Sequence, residues 1–275
     1  MQWCDIGANL TDKRLDLEPV LSRSLQKNVQ QIIITGTSVQ GSRNASQIAS
    51  LYPGKLYSTA GVHPHHAKEF SEHTAMELQE IATSPQVVAI GECGLDFNRN
   101  ISTAQQQLHA FEQQLQLASE LQLPVFLHER DAFETQIQLL RQYRSKLVGA
   151  VVHCFTGNKQ QMLQYLELDL YIGITGWVCD LKRGVDLREA LSALPLNRLL
   201  LETDAPYLRP KGLANNRQLD KGNNEPAYLP YIAQQVAQLM ETDITRLHQA
   251  VQINTHTLFK IDTLGSAAMD ADHVD

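Results

Sequence analysis

The stretch VVAIGECGLDF (Val87–Phe97) opens on four apolar residues and a glycine, then sets a carboxylate, Glu92, in line with them. A short apolar run of this kind reads as a strand covered on both faces, as in a parallel sheet flanked by helices. A carboxylate there needs a partner, because a buried, unpaired charge is costly. The same event recurs in PVFLHER (Pro124–Arg130) with His128, in GAVVHCF (Gly149–Phe155) with His153, and in LLLETDAPY (Leu199–Tyr207) with Asp204. All four residues belong to the short set of side chains that ligate metals, which points to one shared site.

Working outward, eight such runs punctuate the chain: WCDIGAN, QIIITGT, YSTAGVH, VVAIGE, VFLHER, AVVHCFTG, YIGITGW and LLLETD. Helix-length amphipathic segments separate them. Ser102–Leu123 puts Leu108, Phe111, Leu115 and Ala118 at helical spacing, with Ser102 or Thr103 as N-cap. Alternating strand and helix predicts a parallel α/β sheet, and eight units predict a (β/α)8 TIM barrel whose site gathers at the carboxyl ends of the strands. A doubly wound open sheet is the alternative, and it too would place ligands at strand ends. We expect a single barrel domain over 1–262 and a disordered acidic tail over 263–275. Arg209–Pro226 lacks apolar periodicity and reads as a long loop after the eighth strand.

The 275 residues are 43% hydrophobic and 19% charged, as in an ordinary globular protein, and the net charge is -7. That balance argues against a broad basic face gripping long duplex nucleic acid, while leaving room for a small phosphate pocket. The N-terminus has no basic segment followed by an apolar one, and no run of about eighteen apolar residues occurs. We expect a cytoplasmic monomer with no membrane contact. Cys4, Cys93, Cys154 and Cys179 lack CxxC spacing and read as buried free thiols.

Two imidazoles and two carboxylates at one mouth form a hydrolytic metal site with open positions. Glu92 offers two oxygens for bridging, His128 and His153 one nitrogen each, and Asp204 suits either ligation or deprotonation of water. Each alone has a blander role, as a hydrogen-bonded core histidine or a helix cap. Together, without a cation, they would leave poorly solvated charges side by side. GVHPHH (Gly61–His66) adds His63 at the third strand's end, with His65 and His66 following as further ligands, phosphate donors or solvated loop residues. Arg130 stands two residues beyond His128 in an extended segment, so it points the same way and can meet a phosphate. Phe97, Phe155, Trp177 and Tyr207 are either core residues or stacking surfaces for bases.

The motifs DIGANL, TAGVHPH, VVAIGECGLDFNRN, VFLHERDA, VVHCFTG, YIGITGWVCD, LLLETDAPYL and NNEPAYL together resemble the TatD family of metal-dependent deoxyribonucleases, over about residues 3 to 260. The resemblance implies a barrel of the metal-dependent hydrolase superfamily and 3′–5′ exonuclease action on the ends of single-stranded DNA, sometimes RNA. It also implies a Mg2+ requirement and a part in repair of oxidatively damaged DNA. It carries Glu92, His128 and His153 over as metal ligands, Asp204 as the aspartate that completes the site and assists catalysis, and His63 and Arg130 as neighbours of the scissile phosphate.

The first strand departs from the Asp-x-His-x-His of many relatives, keeping Asp5 but placing Gly7 and Asn9 at the histidine positions. Asp5 and Asn9 are then at best weak ligands, and an ion nearest the first strand should bind weakly. One ion, or one with a second recruited by the substrate, is compatible with these residues. Imidazole nitrogens favour Zn2+ or Mn2+ where Mg2+ prefers oxygen, so we expect Mg2+ with Mn2+ or Zn2+ able to substitute. The alternatives are a small-molecule amidohydrolase or lactonase on the same barrel, and a binding protein with reduced catalysis.

Overall fold

The computed structural model describes residues 1–213 and 222–262. Eight strands follow in chain order: β1 (Trp3–Ala8), β2 (Val29–Ile34), β3 (Leu56–Ala60), β4 (Val87–Asp96), β5 (Val125–Arg130), β6 (Ala150–Val152), β7 (Tyr171–Ile174) and β8 (Leu199–Leu201). Each pairs in parallel with the next, so the spatial order is the sequence order. Beyond β8 the chain meets β1. Asp204 N donates to Gly7 O at 2.8 Å, Asn9 N donates to Ala205 O at 2.7 Å, and Ala8 and Ala205 form a parallel bridge. The predicted barrel is therefore the observed one, and its sequential strand order excludes the doubly wound alternative.

Helices α1 (Leu17–Gln26), α2 (Val39–Ser50), α3 (Glu72–Ile81), α4 (Ala104–Leu121), α5 (Phe133–Tyr143), α6 (Lys159–Glu167) and α7 (Val185–Ala190) lie between strands, with α8 (Leu229–Leu239) and α9 (Ile244–Phe259) after β8. The expected tail, 263–275, and residues 214–221 of the expected loop lie outside the described residues. No helix among the described residues is long and apolar enough to cross a membrane.

Strand side chains alternate between two apolar clusters. Ile32, Ile34, Val125, Leu127, Ala150, Val152, Leu199 and Leu201 pack with the helices, whereas Ile6, Ile33, Phe126, Val151 and Leu200 form a second cluster inside the barrel. This period of two aims the site. Counting in twos from the interior residues leads from Phe126 to His128 and Arg130, from Val151 to His153, and from Leu200 to Glu202 and Asp204.

Helix α4 begins where the sequence predicts. Thr103 is the N-cap, its hydroxyl accepting from Gln106 N while the Gln106 side chain accepts from Thr103 N, and Phe111, Leu115 and Ala118 are buried. Such a reciprocal cap is worth about 1 kcal/mol. The helix also holds the site's backbone, because Gln107 and Gln114 are fully buried and each grips one residue of the strand ends. Gln114 accepts from Val62 N at 2.7 Å and donates to Val62 O at 3.0 Å, and Gln107 does the same for Asp96 at 2.8 and 3.0 Å. Buried amides of this kind fix a position only if both ends are satisfied, as here.

Candidate metal centre at the barrel mouth

Glu92, His128, His153 and Asp204 line one cavity of about 650 Å3 at the carboxyl side of the sheet, with His63, His65, His66, Asn9, Asp96 and Arg130. Their placement corrects one detail of the sequence reading. Glu92 is not at a strand end: β4 runs on through Asp96, with a register irregularity between Gly91 and Cys93. That irregularity separates the apolar start of β4 from its polar half. His128 is the fourth residue of β5, His153 directly follows β6, and Asp204 lies just past β8.

One carboxylate oxygen is the hub. Glu92 Oε1 lies 2.7 Å from His128 Nδ1, 3.5 Å from His63 Nε2 and 3.5 Å from His153 Nε2. The outer nitrogens are also held. His153 Nδ1 is 2.6 Å from Glu202 Oε2, His63 Nδ1 accepts from His65 N at 3.1 Å, and His65 Nε2 meets Asp96 Oδ2 at 2.6 Å. A neutral His63 whose Nδ1 is an acceptor must carry its proton on Nε2, so it faces the mouth as a donor. His128 Nε2 is buried without a hydrogen-bond partner, 3.9 Å from Asp96 Oδ2.

Charge is distributed unevenly over these groups. Burial opposes the charge on Glu92, but His63, His153 and His128 outweigh it and hold the carboxyl well below the usual range. Burial likewise disfavours the imidazolium forms. The carboxylates of Asp96 and Glu92 nevertheless raise His128 to about 9, and those of Glu202 and Glu92 raise His153 to about 10. For His63 burial wins, lowering it to about 3. Asp204 is raised to about 7, by burial first; His153 opposes the rise and the Glu92 and Glu202 carboxylates add to it.

Two groups of ligand-type atoms lie within 4.8 Å of one another: His63 with Glu92 and His128, and His153 with Cys154 and Asp204. Several imidazoles crowd one carboxylate and His128 Nε2 is buried without a hydrogen-bond partner among the described residues, an arrangement that a metal ion fits. Mixed nitrogen and oxygen donors suit Mn2+ or Zn2+ and admit Mg2+ through the carboxylates. Among the described residues, Nε2 of His63, of His128 and of His153 makes no hydrogen bond, while the Nδ1 of each ring is engaged.

The first strand behaves differently from its sequence reading. Asp5 is fully buried and serves barrel closure, its oxygens accepting from Thr203 N, the Thr203 hydroxyl and Gly7 N. Asn9 turns its amide nitrogen to Asp204 Oδ1 at 3.0 Å and Ala205 O at 3.2 Å, so it orients the aspartate. Phe155 is core, whereas half-buried Trp177 and exposed Tyr207 line the mouth, each under a guanidinium. Arg183 lies 4.5 Å and Arg130 5.8 Å from the Trp177 ring centroid, and Arg14 lies 4.4 Å from that of Tyr207. The four cysteines are free thiols, with Cys4, Cys93 and Cys179 buried and Cys154 lining the mouth. Sequence reasoning missed Asp96, Glu202 and Arg99. The first two were accessible in principle: Asp96 lies four residues past Glu92 in one strand, and Glu202 two before Asp204 on the inward register.

A nearly closed eight-stranded parallel barrel with imidazoles and carboxylates gathered at its carboxyl mouth defines a hydrolase of the metal-site barrel class. Residues 4–260 match the TatD related DNase family, and the chain belongs to it. It is 49% identical over 259 residues to the 3′-5′ ssDNA/RNA exonuclease TatD of Pantoea sp. (strain At-9b), covering 94% of this chain and 99% of that protein. It is 49% identical over 265 residues to the protein of the same name from Citrobacter rodentium (strain ICC168), covering 96% and 99%. The crystal structure of YJJV, a TatD homologue from Escherichia coli k12, matches with a TM-score of 0.84 at 28% identity, covering 94% of this chain and 98% of that one.

Proposed function

We propose that the protein is a metal-dependent 3′–5′ exonuclease that hydrolyses terminal phosphodiester bonds of single-stranded DNA or RNA. The convergence of Glu92, His128, His153 and Asp204 on one cavity carries the reading, and the names of its close relatives agree with it. Glu92, His128, His153 and Asp204 would hold one or two divalent cations, for which Mg2+ is the expected physiological choice and Mn2+ or Zn2+ would substitute. When bound, the cation supplies Lewis acidity to the phosphoryl group and makes a water molecule more acidic.

The chain's own residues do the rest. Asp204, raised to about 7, accepts a proton at an operating pH near neutrality, and Asn9 Nδ2 fixes its orientation. His63 donates from Nε2 to a phosphate oxygen, and His65, tied to Asp96, forms the adjoining wall. Arg130 and Arg99, both lining the mouth, offset the negative charge that develops on the phosphoryl oxygens. Trp177 and Tyr207 give flat surfaces on which terminal bases stack whatever their sequence.

A cavity of this size grips only the last few nucleotides, which reconciles nucleic-acid binding with a net charge of -7. The test is a single-stranded oligonucleotide labelled at either end, incubated with Mg2+ or Mn2+ and with EDTA, beside a panel of lactones and amides. A descending ladder from the 5′-labelled strand, abolished by EDTA, is expected. Turnover of the panel without nucleotide release would overturn the proposal.

A further inference from the structure

Glu202 has no place in the ligand set above, yet it is one of the most enclosed charged groups in the molecule, with no solvent exposure. Both its oxygens are engaged. Oε2 lies 2.6 Å from His153 Nδ1, and Oε1 accepts from Cys154 N at 2.5 Å. The space around it comes from two glycines on β1 and β7. A Cβ built on Gly7 would lie 2.4 Å from Oε2, and one on Gly173 would lie 2.4 Å from Oε1. The missing side chain at Gly7, which by sequence reads as a lost ligand, is the room in which a carboxylate from the β8 side sits.

We propose that Glu202 is a positioning residue that keeps the His153 proton on Nδ1 and turns its Nε2 lone pair toward the mouth, with Gly7 and Gly173 as the cradle that admits it. The inference rests on the reading of His153 as a metal ligand. A neutral imidazole has one donor and one acceptor nitrogen, and a nitrogen facing a carboxylate oxygen must be the donor. Nε2 is then the only ligating atom, and it points at Glu92 Oε1, 3.5 Å away. A carboxylate behind a ligating histidine also raises the basicity of the ring.

The chemistry of glutamine makes the test sharp. Cys154 N–H and His153 Nδ1–H both need acceptors, and a carboxamide has only one oxygen. In Glu202→Gln the carboxylate behind the ring is lost in either orientation: with the amide oxygen toward Nδ1 the Cys154 amide loses its partner and the ring is less basic, and with the NH2 toward Nδ1 the proton moves to Nε2, which removes the ligand. Mn2+ affinity of the full-length wild type and of Glu202→Gln is measured by calorimetry and electron paramagnetic resonance, with circular dichroism and thermal unfolding recorded for both.

We expect Mn2+ to bind the folded variant roughly 10- to 100-fold more weakly. Equal affinities would overturn the inference alone, whereas absence of Mn2+ binding by the wild type would overturn the metal reading and the inference with it. Because the readout contains no DNA, failure of the exonuclease assay is a separate result. If the variant does not fold, nitrogen-15 histidine NMR of the Zn2+-loaded wild type decides. A protonated Nδ1 on His153 is required, and a bare or metal-bound Nδ1 would refute the proposal.

Discussion

If His128 and His153 are the metal ligands proposed above, cation binding at this mouth should release protons. Without a cation, His128 at about 9 and His153 at about 10 each carry an extra proton through neutral pH, held there by Asp96, Glu92 and Glu202. Both folded values lie above the ordinary 6.5 of histidine. Their contribution to the stability of the metal-free fold is therefore complete below about pH 6.5 and lost as pH rises through 9 and 10. Ligation runs the other way, because it needs the lone pairs. Between pH 7 and 8.5, binding at both rings should release about two protons, so affinity should climb about 100-fold per pH unit, or about 2.7 kcal/mol. Below pH 7 Asp204 adds up to a third proton. Titration calorimetry with Mn2+ in buffers of different ionisation heat counts the protons directly. Histidines of ordinary pKa would release almost none at pH 8, so an affinity flat from pH 7 to 8.5 would refute this account of the site's charge.

Replacing Glu92 with Ala removes the hub of the histidine cluster; turnover on single-stranded DNA should fall by at least about 100-fold while circular dichroism stays that of the wild type. Trp177→Ala should raise KM for a single strand by roughly 5- to 150-fold, equivalent to about 1–3 kcal/mol of stacking, and leave kcat nearly unchanged in steady-state assays. Gly7→Ala drives a methyl group against Glu202 and the Phe126 ring, whose Cζ lies 3.0 Å from the built Cβ; urea unfolding should show about 1–3 kcal/mol of lost stability, and no loss would contradict the cradle.

The barrel and most of its site were legible in the residues themselves. A run such as VVAIGE or LLLETD declares a strand by composition, and its ligand-type residue declares chemistry because it breaks an otherwise apolar pattern. Eight runs alternating with helical periodicity leave few architectures, and strand parity aims Phe126, His128 and Arg130 to one side whatever the rest of the chain does. These are properties of neighbours in sequence, so the sequence by itself determined the strands, the helix start at Thr103 and the candidacy of Glu92, His128, His153 and Asp204.

What the sequence left open involves pairs far apart in the chain. Gly7 and Glu202 are separated by most of the barrel in sequence, and only closure of β8 on β1 reveals that one makes room for the other. The same closure turns Asp5 from a candidate ligand into the clasp on Thr203, and sets Asn9 against Asp204. Tertiary structure decided which nitrogen of each histidine is free, because that depends on the partner behind the ring: the His65 amide for His63 and the Glu202 carboxylate for His153. A proton's place on an imidazole is fixed by the acceptors and donors around it, and those come together only when the barrel does.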